Sequence, residues 1–146
     1  VLPEKLRNKI SSDLFEKYVG ISEEKLAYEL YMNADQIRMM KRHGMFIGLH
    51  GYDHYWLGNL PKDEMMSDID NAMEALREFI DKKAWVMNYP YGSYNQDVVQ
   101  YVKSKGAVLG LTTEVRVAEI RVDNLFTLPR LDCNDFPPIS ERFREG

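Results

Sequence analysis

The sequence has three histidines, and two of them lie four apart in His50-Gly51-Tyr52-Asp53-His54. Neutral imidazole is a good ligand for zinc and similar divalent ions, and two rings at this spacing converge on one ion if the segment turns helically. The spacing alone leaves that reading open against two surface or capping histidines. A zincin helix is a poor match, because that motif needs Glu as general base directly after the first His, and Gly51 stands there. His43, in the last turn of an expected helix before Gly44, reads as a partner for the helix C-terminus.

A second stretch with chemical content is Asn88-Tyr89-Pro90-Tyr91-Gly92-Ser93-Tyr94-Asn95. Pro90 fixes its own φ and restricts Tyr89, while Gly92 permits a tight turn, so the loop is held in shape. A rigid turn lets the Tyr91 N–H face a developing oxyanion, and lets tyrosines wall a sugar ring. The same residues are equally readable as a turn whose tyrosines pack at the edge of the core. Asp132 and Asp135 read as turn residues beside Pro137 and Pro138, and Cys133, with no adjacent base, as structural.

The elements that must position these residues follow from periodicity. Leu2, Leu6, Ile10, Leu14 and Phe15 recur at helical spacing up to Gly20; Ser22 caps a second helix; Asn33 caps a third over 34–42. Met45 to Leu49 is a short apolar run that fits a buried parallel strand. From Pro61 to Asp81 a helical stripe of Met65, Ile69, Ala72, Met73, Leu76, Phe79 and Ile80 opposes a polar face with Lys62, Asp63, Asp68 and Glu74. Trp85-Val86-Met87 reads as a strand, 95–105 as a helix ended by Gly106, 108–111 as a strand, and Leu125 to Leu131 as a last strand. Alternating buried strands and helices predict an α/β fold with a parallel sheet, whose site lies in loops after the strands: 50–59, 88–95 and 112–116.

Composition agrees with a globular chain and narrows its partners. The 146 residues are 45% hydrophobic and 29% charged, with a net charge of −4 and no basic cluster, which argues against nucleic acid. No apolar run reaches the length of a membrane span, and the first residues lack the apolar core of a signal peptide. One cysteine leans the chain away from a disulfide-built secreted domain and toward the cytoplasm. With no repeat or linker, residues 1–146 read as a single domain, and the start inside a helix without Met leads us to expect a piece of a longer protein.

Together the two loops resemble the polysaccharide deacetylase family, carbohydrate esterase family four. "GLHGYDHYWL" is similar to its His-x-x-x-His motif after a strand, and "NYPYGSYN" to its Pro-Tyr turn. "QIRMMKRHGMFIGLHGYDH", "GAVLGLTTEVR" and "FTLPRLDCNDFPP" resemble the surrounding family text, so the likeness runs over about 34–138. The resemblance implies a distorted (β/α) barrel, with the N-terminal helices preceding the parallel strands. It also implies a divalent metal, zinc, held by an Asp and the two histidines, and a second Asp that activates water against the N-acetyl group of a sugar. On this chain His50 and His54 would be the metal ligands, and Tyr91 and Arg130 would act in catalysis. Tyr91 would offer the oxyanion N–H; Asn88 holds the place of the family's base-orienting Arg, and Arg130, on its position at a strand end alone, would replace it. Tyr52, Tyr89 and Tyr94 would contact substrate.

The departures are definite. The family's Thr-Phe-Asp-Asp-Gly motif, with the base and the Asp ligand, does not occur, and its place would be before Val1. No histidine follows His54 to match the late Leu-x-His motif, and Gly51 lacks the usual Ser or Thr hydroxyl. The expected function is therefore metal-dependent hydrolysis of N-acetyl groups on a surface or capsular polysaccharide or its precursor. The base would lie outside this chain, and the chain alone would be inactive. The alternative is a non-catalytic carbohydrate-binding or assembly module that stacks sugars on Tyr52, Tyr55, Trp56, Tyr89, Tyr91 and Tyr94. An incomplete barrel would also expose sheet edges and pair with itself or with the N-terminal part.

Overall fold

A computed structural model describes residues 2–140. Contacts divide the chain into two units, one up to Met45 and one from Phe46 onward.

The first unit is three helices, α1 (Glu4–Val19), α2 (Glu23–Leu30) and α3 (Ala34–Arg42). Their ends are set by local chemistry. Gly20 closes α1 in the left-handed conformation with φ 72°. The Ser22 hydroxyl accepts the Lys25 N–H at 3.2 Å at the start of α2. Asn33 and Gln36 form a reciprocal capping box at α3, with bonds of 3.0 and 2.8 Å, and His43 occupies the C-cap of that helix. None of the three helices contains a buried residue.

The second unit holds the core. Helix α4 (Lys62–Ala75) is followed by β1 (Trp85–Asn88), α5 (Gln96–Ser104) and β2 (Ala107–Leu111). The two strands pair in parallel, Val86 opposite Leu109 and Asn88 opposite Leu111, with an irregularity between Trp85 and Val86. Trp85, Met87 and Tyr89 pack with Met65 and Ile69 of α4 and with Val98 and Val102 of α5. The Trp85 indole N–H is satisfied by the Lys105 carbonyl at 3.0 Å. Asn95 caps α5 by accepting the Val98 N–H at 3.0 Å.

The mixed α/β class and the parallel pairing agree with expectation, but several elements differ. The described residues form a two-stranded sheet and do not close a barrel. Of the run 45–49 only Leu49 joins the sheet, through one parallel bridge to Met87, while Met45 and Phe46 are exposed. Leu49 itself is buried and bonds on the β1 side, its N–H to the Val86 carbonyl and its carbonyl to the Asn88 N–H. The expected last strand is likewise one bridge, Leu111 to Leu128. The helix expected to reach Asp81 stops at Ala75 and continues as turns that still bury Phe79 and Ile80. Asp68, placed by sequence on the polar face of α4, is buried instead. It follows Met65 by three residues and precedes Ile69 and Ala72, so it lies on the apolar stripe.

No helix among the described residues is long and apolar enough to cross a membrane.

Candidate functional site

Both histidines of the pair sit in the loop that leaves Leu49, immediately after its bridge to β1. The segment does not turn helically, yet the rings meet: Nε2 of His50 lies 3.0 Å from Nε2 of His54, with ring centroids 4.7 Å apart. Nδ1 of His50 is 2.7 Å from the backbone carbonyl of Asn88, at the end of β1. A carbonyl only accepts, so Nδ1 carries a proton, and the neutral tautomer compatible with that bond has its lone pair on Nε2, toward His54. A partner that fixes the tautomer through the far nitrogen is the usual arrangement behind a metal-binding histidine.

The loop between the histidines is tied to α4. The buried Asp68 carboxylate accepts the Tyr52 N–H at 3.0 Å on Oδ2 and the Asp53 N–H at 2.9 Å on Oδ1. Gly51 has φ +72°, and a Cβ there would lie 2.9 Å from Asp68 Oδ2. The loop is thus held by a carboxylate from another element, in a space that leaves no room for a side chain at position 51. Sequence reading missed Asp68, and the signal was its position on the helix, three residues from one core side chain and one from the next.

Tyr91 lies in a short turn over Pro90–Gly92 directly after β1, closed by Gly92 N–H to Tyr89 O and Ser93 N–H to Pro90 O, both 2.9 Å. Its ring stacks on Trp56 at 4.7 Å and 10°, and meets His54 edge-on at 4.7 Å. Among the described residues, His54 and Tyr91 are the two non-glycine positions with positive φ, both 56°. Each such position costs of order 1–3 kcal/mol and collects where a surrounding structure holds side chains in place. That the two are in ring contact marks this corner as the strained one.

The remaining expected site residues divide. Arg130 reaches the same corner, its Nη1 donating to Asn88 Oδ1 at 3.3 Å, so one asparagine links Arg130 through its side chain and His50 through its backbone. Tyr52 and Tyr94 are exposed. Tyr89 is a correction: it is fully buried, its hydroxyl donates to the Phe126 carbonyl at 2.9 Å, and it cannot wall a sugar. Burial, reinforced by the neighbouring Tyr94, pushes its hydroxyl pKa well above the usual tyrosine value. The carboxylates of Asp132 and Asp135 are used within their own turn, accepting the N–H of Asn134 and of Asp132, both at 2.8 Å.

Among the described residues no third His, Cys, Asp or Glu joins the pair to complete a metal-binding group. The donor set nevertheless fits a divalent ion in part. Two nitrogens ~2.0–2.1 Å from a tetrahedral zinc lie roughly 3.3 Å apart, close to the observed separation.

A loop after β2 flanks this end of the sheet. Arg116 makes paired bonds to Asp123 at 2.8 and 2.7 Å and one to Glu114 at 2.8 Å. The guanidinium, together with the Glu119 N–H, holds the Asp123 carboxyl down to about 2.

Residues 16–110 match the family model for polysaccharide deacetylase, and the chain belongs to that family. A relative in Bacillus subtilis (strain 168), named "Putative polysaccharide deacetylase YxkH", is 24% identical over 106 residues, which are 73% of this chain and 38% of the relative. The fold is shared with the Streptococcus pyogenes deacetylase PplD, solved in complex with acetate, at a TM-score of 0.65 and 23% identity, over 76% of this chain and 48% of the other. The chain therefore spans less than half the length of both proteins.

Proposed function

We propose that this chain carries the histidine half of a polysaccharide N-deacetylase site, acting on N-acetylated sugars of a surface or capsular polysaccharide or its precursor. The observation that carries the reading is the meeting of His50 and His54 through Nε2, with the far nitrogen of His50 engaged by Asn88. Its two-stranded sheet would belong to a distorted barrel completed by the rest of the parent protein. The remaining ligand and the catalytic base would come from residues outside these 146.

His50 and His54 would hold zinc or a similar divalent ion through Nε2. When bound, such an ion supplies Lewis acidity toward the amide carbonyl and lowers the pKa of water. Asn88 keeps His50 in the tautomer that leaves Nε2 available. The Tyr91 N–H, in a turn held by Pro90 and by the Trp56 stack, is the proposed donor to the oxyanion, the position where charge develops in amide hydrolysis. Arg130, anchored on Asn88, would orient the carboxylate that abstracts the proton from water. Tyr52, Tyr94, Tyr91 and Trp56 offer aromatic surface to the apolar faces of pyranose rings.

The test is acetate release from N-acetylglucosamine oligomers. The intact protein should be active and inhibited by chelators, and the 146-residue chain alone inactive. Loss of a metal-orienting partner already costs about 10–100-fold, so His50→Ala in the intact protein should cost more. Efficient turnover by the 146-residue chain alone would overturn the division of the site.

A further inference from the structure

Two histidines four apart meet readily on a helix, where residues i and i+4 are neighbours. Here they meet in a loop, so something other than helical geometry must bring the rings together. Three residues separate them, Gly51, Tyr52 and Asp53, and two of the three backbone N–H groups end on a single carboxylate, that of Asp68. That carboxylate is 4% exposed and rides on α4 between the buried Met65 and Ile69. Its position is therefore fixed by the core, while the histidines it serves are exposed. The close approach of Gly51 to Oδ2 is part of the same arrangement, since a side chain at 51 would push the carboxylate off the loop.

We infer that Asp68 is a positioning residue for the histidine pair: by holding two successive N–H groups between His50 and His54, it sets the turn that brings their Nε2 atoms together. This deepens the metal-binding reading above and rests on it. Asp68 touches neither ring nor substrate, and it acts through the backbone. A catalytic arrangement held from a rigid helix keeps its geometry better than one held by the loop itself. The cost is a buried carboxylate, which is tolerated because each oxygen accepts a backbone N–H.

The experiment uses cobalt(II) as the probe in the intact protein, titrated by its visible absorption, with circular dichroism to confirm folding. Asp68→Asn keeps the shape but presents an NH2 group to one of the two N–H donors. It should weaken cobalt affinity about 10–100-fold and alter the band positions, as expected for a disturbed ligand pair. Gly51→Ala, made from the other side of the contact, should shift affinity and spectrum in the same direction, and it decides the matter if Asp68→Asn does not fold. His50→Ala separates the two claims. If it abolishes binding while folded Asp68→Asn, or Gly51→Ala in its place, keeps wild-type affinity and spectrum, the role of Asp68 is overturned. If His50→Ala leaves binding intact, the metal-pair reading itself fails.

Discussion

The two units of the chain are specified in opposite ways. In the first, each helix has one end set by a local device, a left-handed Gly20, a Ser22 cap or an Asn33–Gln36 box, yet no side chain of α1, α2 or α3 is buried. In the second, Trp85, Met87, Tyr89, Val98 and Val102 are entirely covered, and the site is attached to that core through Leu49, Asn88 and Asp68. Local signals decide which residues become helical, but burial supplies most of the stability that keeps them there. The meeting of two ring nitrogens in a loop belongs to the unit that has a core.

The comparison can be broken most forcefully by substitution on each side. Trp85→Ala should destabilise the second unit by about 3–5 kcal/mol through cavity formation. Leu6→Ala, at a residue 45% exposed, should change stability by less than about 0.5 kcal/mol. Urea titration followed by circular dichroism checks both, and equal effects would contradict the contrast. Next in size, Asn33→Ala should cost α3 about 1 kcal/mol, read as faster amide exchange confined to residues 34–42. Unchanged exchange over 34–42 would contradict the role of the cap.

The smallest effect is in pH. The Asp123 carboxyl is depressed in the folded state, chiefly by Arg116, so its contribution is fully present above the ordinary carboxylate value and is lost as pH falls toward about 2. The loop over 112–130 should therefore loosen on acidification through that window, and Asp123→Asn should remove that part of the acid dependence. Amide exchange of Glu119, whose N–H bonds Asp123 at 2.7 Å, reports it directly.

How much of this was legible in the sequence follows the same division. The caps at Ser22 and Asn33 could be read because a cap needs only residues three positions apart, whereas Asn95, read as the first residue of its helix, is its cap. The α4 stripe and the β1 and β2 segments could be read because periodicity is local too. Sheet membership could not: 45–49 and 125–131 look like strands, but each contributes one paired residue, since pairing depends on what lies alongside. Asp68 was placed with the polar face because its type outweighed its position in the Met65, Ile69, Ala72 series. Tyr89 was assigned to a sugar wall because residue type gave no sign that Gly110 makes room for its hydroxyl, which lies 2.6 Å from where a Cβ would stand. The histidine pair was found by its spacing, although its convergence comes from a long-range clamp and not from the helical turn the spacing suggested. The contact between Arg130 and Asn88, 42 residues apart in sequence, was not legible at all, because nothing local relates the two positions.

The most direct test of the central claim, that His50 and His54 hold a divalent ion together, is the metal content of the intact protein after zinc loading and dialysis. Wild type should retain about one equivalent of zinc per chain, and His50→Ala and His54→Ala should each lose it. Unchanged zinc content in both variants would contradict the account.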